Sequence, residues 1–205
     1  KFREDPYSII DLINLGTFSE EMAAYFWTCL ENRTSVVVLG GTAAGKTTAL
    51  NALACLIRPG SKIVTIEETA ELNLPHENWV SLIARRSYGL GQSLTGEVTL
   101  FDLVKTAMRH RPDVLIVGEI RGKEAYVLFQ ALATGHGGMC TLHADSIDSA
   151  VKRLTSKPMN IAPEYIPLMN IVATVQRVHL PEEGELKAYR RVISVDEVAD
   201  YEDYR

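Results

Sequence analysis

Gly40-Gly41-Thr42-Ala43-Ala44-Gly45-Lys46-Thr47 is a glycine-rich run of a kind that can wrap a phosphate. Glycines let successive backbone N–H groups curl around an anion, and a helix that follows adds its unpaired N–H groups and the positive end of its dipole. The spacing G-x-x-x-x-G-K-[ST] assigns Lys46 to the β- and γ-phosphates of a nucleotide and the Thr47 hydroxyl to Mg²⁺, an ion that keeps several of its waters. The plainer reading is a glycine turn before a helix. Context favours the phosphate loop: Ser35 to Leu39 before it is a β-branched strand candidate, and Lys46 to Arg58 after it is an Ala/Leu-rich helix candidate that stops at Pro59-Gly60.

Glu119 follows Val114-Leu115-Ile116-Val117-Gly118, a continuous apolar run suited to a parallel strand covered on both faces. Ligands bind at the C-terminal ends of such strands, so a carboxylate there can orient or deprotonate a water for in-line attack on a γ-phosphate. The alternative is a surface carboxylate at a strand end. Glu67 and Glu68 follow the strand candidate Lys62 to Ile66 in the same way. They could hold a magnesium-bound water or the metal's outer shell, with one of the two pointing away; adjacent loop carboxylates are otherwise plain solvated charge.

These residues need a scaffold that brings strand ends together. Thr17 and Glu20 form a capping-box pattern ahead of a helix carrying Met22, Tyr25, Phe26, Cys29 and Leu30, and Thr99 with Asp102 opens another that ends near Arg109. Trp79 to Ala84 is a third strand candidate, Glu124 to Ala133 a helix, Met139 to Leu142 a strand and Ser146 to Leu154 a helix. Such β/α alternation predicts an α/β fold with a mostly parallel sheet flanked by helices. Ile171 to Val178 and Ala188 to Val195 flank Pro181-Glu182-Glu183-Gly184, which reads as a hairpin, a small C-terminal β appendage. The expected division is a lead-in helical segment over 1–34, a core over 35–160 and the appendage over 161–205.

The 205 residues are 46% apolar and 23% charged, which suits a globular chain rather than a disordered one. No apolar run approaches the roughly 18 residues of a membrane span, so any membrane role is expected to be peripheral. A formal net charge of -5 argues against a nucleic-acid partner. Cys29, Cys55 and Cys140 are widely spaced without a Cys-x-x-Cys pair, which points to a reducing cytoplasm. His136, Cys140 and His143 lack the second cysteine pair of the usual zinc patterns.

Taken together these motifs resemble the secretion-ATPase superfamily, the hexameric motors of type II and type IV secretion, type IV pili and archaella. The resemblance spans nearly the whole chain: a Walker A loop over Gly40 to Thr48, an acidic box Thr65-Ile66-Glu67-Glu68-Thr69, a Walker B segment Asp113 to Glu119, and a histidine box from Thr134-Gly135-His136 through Thr141-Leu142-His143. Leu74-Pro75-His76-Glu77-Asn78-Trp79, Gly118-Glu119-Ile120-Arg121-Gly122 and Leu142-His143-Ala144-Asp145-Ser146 look most like the archaeal branch. The acidic box commonly reads Glu-Asp in that family, whereas here it is Glu67-Glu68.

The resemblance implies a P-loop NTPase (RecA-like) fold, ATP as substrate with Mg²⁺, a homohexamer, and a membrane-embedded platform protein as partner on the cytoplasmic face. It implies that some of Arg85, Arg86, Arg109 and Arg121 neutralise the transferring phosphoryl group, and that His143 and His136 report γ-phosphate loss. It also implies that the chain is the C-terminal motor domain, without the family's preceding domain. Competing readings are a DNA-translocating P-loop ATPase, which needs a basic groove, a P-loop kinase, which needs an acceptor pocket, and a nucleotide-gated module that hydrolyses nothing.

Overall fold

The computed structural model describes residues 6–85, 96–182 and 185–200. The chain runs α1 (Ile9–Asn14), α2 (Glu20–Glu31), β1 (Val36–Leu39), α3 (Lys46–Ala54), β2 (Ile63–Glu67), β3 (Trp79–Ile83) and α4 (Leu100–Arg109). It continues through β4 (Val114–Glu119), α5 (Glu124–Ala133), β5 (Gly137–Leu142), α6 (Ile147–Thr155), a 3₁₀ turn (Pro163–Met169), β6 (Ile171–Glu182) and β7 (Glu185–Glu197). The strands form one sheet in the order β3-β2-β4-β5-β1-β6-β7, parallel throughout except for β7, which pairs antiparallel with β6. The expected α/β architecture, a mostly parallel sheet flanked by helices, is what the chain adopts.

Alternation along each strand explains why both faces are covered. Successive side chains of a strand point to opposite faces, so a continuous apolar run serves two cores at once. Val36 and Val38 of β1, with Val114 and Ile116 of β4, pack with α2 and α3 residues such as Phe26 and Leu50. Val37 and Leu39, with Leu115 and Val117, pack on the other face against α4, α5 and α6 residues such as Val104, Phe129 and Leu154. A polar substitution at Ile116, which is fully buried, would leave an unpaired group in the middle of the sheet.

The C-terminal hairpin is continuous with this sheet. β6 lies parallel to β1, Val36 opposite Ile171 through Leu39 opposite Thr174, so β1 sits between β5 and β6. Past Thr174 the register shifts by a bulge and β6 runs on with β7 beyond the end of β1. Lead-in residues Leu12, Phe18, Phe26 and Leu30 share an apolar cluster with β1, α3 and Val192 of β7.

Several helix boundaries differ from the sequence expectation. The cap of α2 is Ser19, whose hydroxyl accepts from the Met22 N–H, and not Thr17. Thr17 is instead buried in the turn after α1, where its carbonyl accepts from Val192 of β7 at 2.9 Å. Helix α1, capped by a Ser8–Asp11 box, is too short to show a periodicity of its own. Helix α3 ends at Ala54 rather than Arg58, with tighter turns from Leu56 to Leu53 and Ile57 to Ala54 taking over.

Candidate active site

The loop between β1 and α3 has the backbone an anion needs. Gly45 caps α3 at φ +99° and Ala43 adopts φ +59°, the left-handed conformations from which an anion-binding backbone concavity is built. A side chain at Gly40 would collide with the carbonyl of Val175 on β6, which is the close approach that only glycine permits. No side chain caps α3, so the N–H groups of its first turn face the loop unclaimed. Lys46 lies back over this loop, its Nζ donating to the Gly41 carbonyl at 3.0 Å. The ammonium is thus held where an anion in the loop would meet it.

Beside the loop, Lys46, Thr47, Glu67, Glu119, Arg121 and Thr141 line a cleft of about 190 Å³. Their convergence follows from the parallel sheet, because β1, β2, β4 and β5 all end on this side. Glu119 is placed by a register shift: β4 and β5 run in step to Val117 opposite Cys140, then Glu119 and not Gly118 faces Thr141. The Thr141 hydroxyl closes the irregularity by donating to the Gly118 carbonyl at 2.7 Å. The bulge re-aims Glu119, which is exposed to the cleft.

Glu67 and Glu68 part company. Glu67 is buried, and its Oε1 accepts from the N–H groups of Glu71 and Leu72, each at 3.0 Å. Its Oε2 is buried without a hydrogen-bond partner. Burial pushes the Glu67 carboxyl above the usual carboxylate range, opposed by the two backbone donors and reinforced by the nearby charge of Glu71. A buried oxygen left unpartnered in a cleft that also holds the Thr47 hydroxyl fits a hydrated divalent cation, since Mg²⁺ is held through one or two protein oxygens and retained waters. Glu68 turns outward to an ion pair with Arg121.

Arg121 therefore stands at the mouth of the cleft, between Glu68 and the loop that follows β4. That loop is pinned by Glu124, whose Oε1 accepts from Arg121 N at 2.7 Å and Gly122 N at 2.6 Å. Glu124 is 6% exposed, and no motif flagged it in the sequence; its only signal is an acid in the first turn of a helix. Arg85 lies at the end of edge strand β3, donating from Nε to the Gly96 carbonyl at 2.7 Å, and lines a neighbouring cleft with Glu68 and Arg121. Arg86 lies outside the described residues.

His143 follows β5 on the phosphate-loop side and is half-buried, its carbonyl held by Arg153 Nη1 at 2.6 Å. His136 and Arg109 are elsewhere. His136 precedes β5, a strand of 6 residues that spans roughly 20 Å, so it sits at the opposite end of the sheet. There its Nδ1 lies 3.2 Å from the Ala131 carbonyl and 3.1 Å from the Thr134 hydroxyl, finishing α5. Arg109 ends α4 just before β4 and is at that far end too. Within one chain neither reaches the loop between β1 and α3.

A second cleft, about 520 Å³, opens on the other side of the loop and is walled by Tyr7, Leu12 and Thr17 of the lead-in and by Tyr189, Arg190 and Arg191 of β7. Sequence reasoning assigned none of these β7 residues a role, because the hairpin's position beside β1 is not written in its own residues. Among the described residues no helix is long and apolar enough to cross a membrane.

Comparison with known proteins places this arrangement. A family model described as type II/IV secretion system protein matches residues 1–180. The chain is 44% identical over 192 residues to the uncharacterized protein MJ1287 of Methanocaldococcus jannaschii, covering 94% of this chain and 68% of that one. It is 31% identical over 190 residues to the conjugal transfer protein TrbB of Rhizobium radiobacter, covering 91% and 56%. It spans only 35% of another relative, MJ0900 of Methanocaldococcus jannaschii, at 43% identity over 201 residues and 98% of this chain. The fold is shared with the VirB11 ATPase of the Brucella suis type IV secretion system (TM-score 0.69, 22% identity, 96% of this chain and 64% of that one). It is shared also with the pilus retraction motor PilT solved with bound ADP (TM-score 0.65, 19% identity, 96% and 55%). With a P-loop NTPase fold, a glycine-rich loop at the end of β1 and a family match over most of its length, the chain belongs to the type II/IV secretion system protein family.

Proposed function

We propose that this chain is the ATP-hydrolysing motor module of a ring-forming ATPase that powers protein secretion or the assembly of pilus-like filaments. The observation that carries the reading is that Lys46 and Thr47 of α3, Glu67 of β2 and Glu119 of β4, from three different segments of the chain, line one cleft beside an uncapped helix N-terminus. The loop and Lys46 bind the β- and γ-phosphates, and Glu119 orients a water and takes its proton as the water oxygen attacks γ-phosphorus and ADP departs. Thr47 and Glu67 would hold Mg²⁺, which would supply charge neutralisation on the phosphates. Arg121 lines the same cleft as Lys46 and is the arginine found there among the described residues. His143 stands after β5 on the same side, where γ-phosphate loss can be felt.

Support for the motor role comes from the relatives, which include a type IV secretion system ATPase, a pilus retraction motor and conjugal transfer proteins. A homohexamer and a membrane-embedded platform protein are part of the proposal, with the chain docked peripherally on the cytoplasmic face. A net charge of -5 gives no support to a nucleic-acid track. The test is phosphate release from ATP with magnesium and with EDTA. Turnover that requires magnesium and disappears in Lys46→Ala is expected; turnover equal in the two proteins would overturn the assignment.

A further inference from the structure

The two clefts share Lys46, Thr47 and Glu71 and otherwise have different walls. The smaller holds Glu67 and Glu119, the groups for a metal and an attacked phosphoryl, so the γ-phosphate belongs on that side. A nucleotide bound so must send its α-phosphate and nucleoside toward the larger cleft, past Gly45 and Thr48, where the facing wall is β7.

Two consecutive arginines on that wall are held very differently. Arg191 is committed to structure: its Nη1 donates to the Leu15 and Arg190 carbonyls, each at 2.9 Å, and its guanidinium stacks 4.9 Å from the Tyr189 ring centroid. It also presses on Gly16, where an added Cβ would lie 3.3 Å from Cζ. Arg191 thereby ties the hairpin to the lead-in segment. Arg190 is exposed and makes one long contact, Nε to the Ala43 carbonyl at 3.3 Å. Its side chain lies across the outer rim of the phosphate loop, with Cδ only 2.8 Å from where a Cβ of Gly45 would be.

Arg190 also stands opposite Arg177 in the β6–β7 register. Like charges directly across two antiparallel strands repel, so an anion brought beside them is favoured. The carboxylate of Glu71, which lines both clefts, offsets only one of the three positive charges that Lys46, Arg190 and Arg191 bring to this one. We propose that Arg190 is a phosphate-positioning residue supplied in cis: on nucleotide binding its guanidinium leaves the Ala43 carbonyl and pairs with the α- and β-phosphates. The inference rests on the proposed ATPase reading and adds a consequence, that nucleotide occupancy is felt directly by the C-terminal hairpin.

The test is ADP affinity, because ADP has the phosphates in question and lacks the γ-phosphate. Arg190→Ala is expected to bind ADP roughly ten- to a hundredfold more weakly, as for loss of a hydrogen bond to a charged group, with Arg190→Lys regaining part of the loss. In turnover the defect belongs in KM rather than kcat, and the melting temperature stays at the parent value. Arg191→Ala, by contrast, lowers the melting temperature. Parent-like ADP affinity in Arg190→Ala while Lys46→Ala fails to bind overturns the hairpin proposal and leaves the ATPase reading standing. A parent chain that binds no ADP removes both.

Discussion

The Thr141 hydroxyl donates to the Gly118 carbonyl at 2.7 Å across the point where β4 and β5 fall out of register. This side-chain bond reinforces the backbone pairing of the histidine-box strand with the strand that carries Glu119, at the residue before that carboxylate. Thr141 is 1% exposed, so water cannot replace the donor. Thr141→Val keeps the shape and removes the bond, at a cost of about 1 kcal/mol in stability. It is expected to lower kcat several-fold with ADP affinity unchanged, because a loosened bulge misplaces Glu119 but not the phosphate loop. A kcat equal to the parent's would separate the bulge from the chemistry.

Glu124 gives a second prediction. Its carboxylate accepts from two consecutive N–H groups and fixes the turn that presents Arg121. Glu124→Ala leaves both donors without a partner in a buried turn and is expected to destabilise by about 1–3 kcal/mol and reduce turnover. Glu124→Gln retains an acceptor oxygen and should keep most of both. Chemical denaturation alongside phosphate release checks the pair; equal behaviour of the two variants would mean that the carboxylate's charge, and not its acceptor geometry, matters there.

The buried carboxyl of Glu67 makes stability depend on pH. Because its folded pKa is raised, the folded chain holds the proton more tightly than the unfolded chain does. Stability from this group is full below the unfolded carboxylate value and is lost as pH rises through the higher folded value. In metal-free buffer, Glu67→Gln should therefore match the parent near pH 4 and exceed it in melting temperature at neutral pH. A difference that does not grow with pH would show that the burial of Glu67 carries no such penalty.

A ring offers a fourth. If a neighbouring subunit completes the site, as ring motors require, phosphate release per chain rises with protein concentration. Arg85, and Arg109 at the far end of the sheet, are two of the described cations that a neighbour could receive. Specific activity that is flat while the chain sediments as a monomer would make each copy self-sufficient.

Much of this was legible in the residues. The phosphate loop, the double-faced run from Val114 to Val117 and the strand-end address of Glu119 follow from spacing and apolar pattern alone. The far placement of His136 was legible too, since a residue preceding a parallel strand must lie at the end opposite a loop that follows one. What the sequence could not show is lateral order. Nothing in Val36 to Leu39 says that β5 and β6 are its neighbours, so Thr141, Arg190 and Arg191 acquire their roles only from the sheet. Ser19 displaced Thr17 as the cap because Thr17 was needed in the turn that docks β7, a tertiary demand outweighing a local pattern.

The most direct test compares the parent with Glu119→Gln at saturating Mg-ATP, following phosphate release and nucleotide affinity in the same preparations. Release should fall by at least about a hundredfold, the scale of general-base catalysis, while ADP and ATP bind as in the parent. Undiminished release from Glu119→Gln would contradict the central claim that this carboxylate, at the end of β4, activates the attacking water.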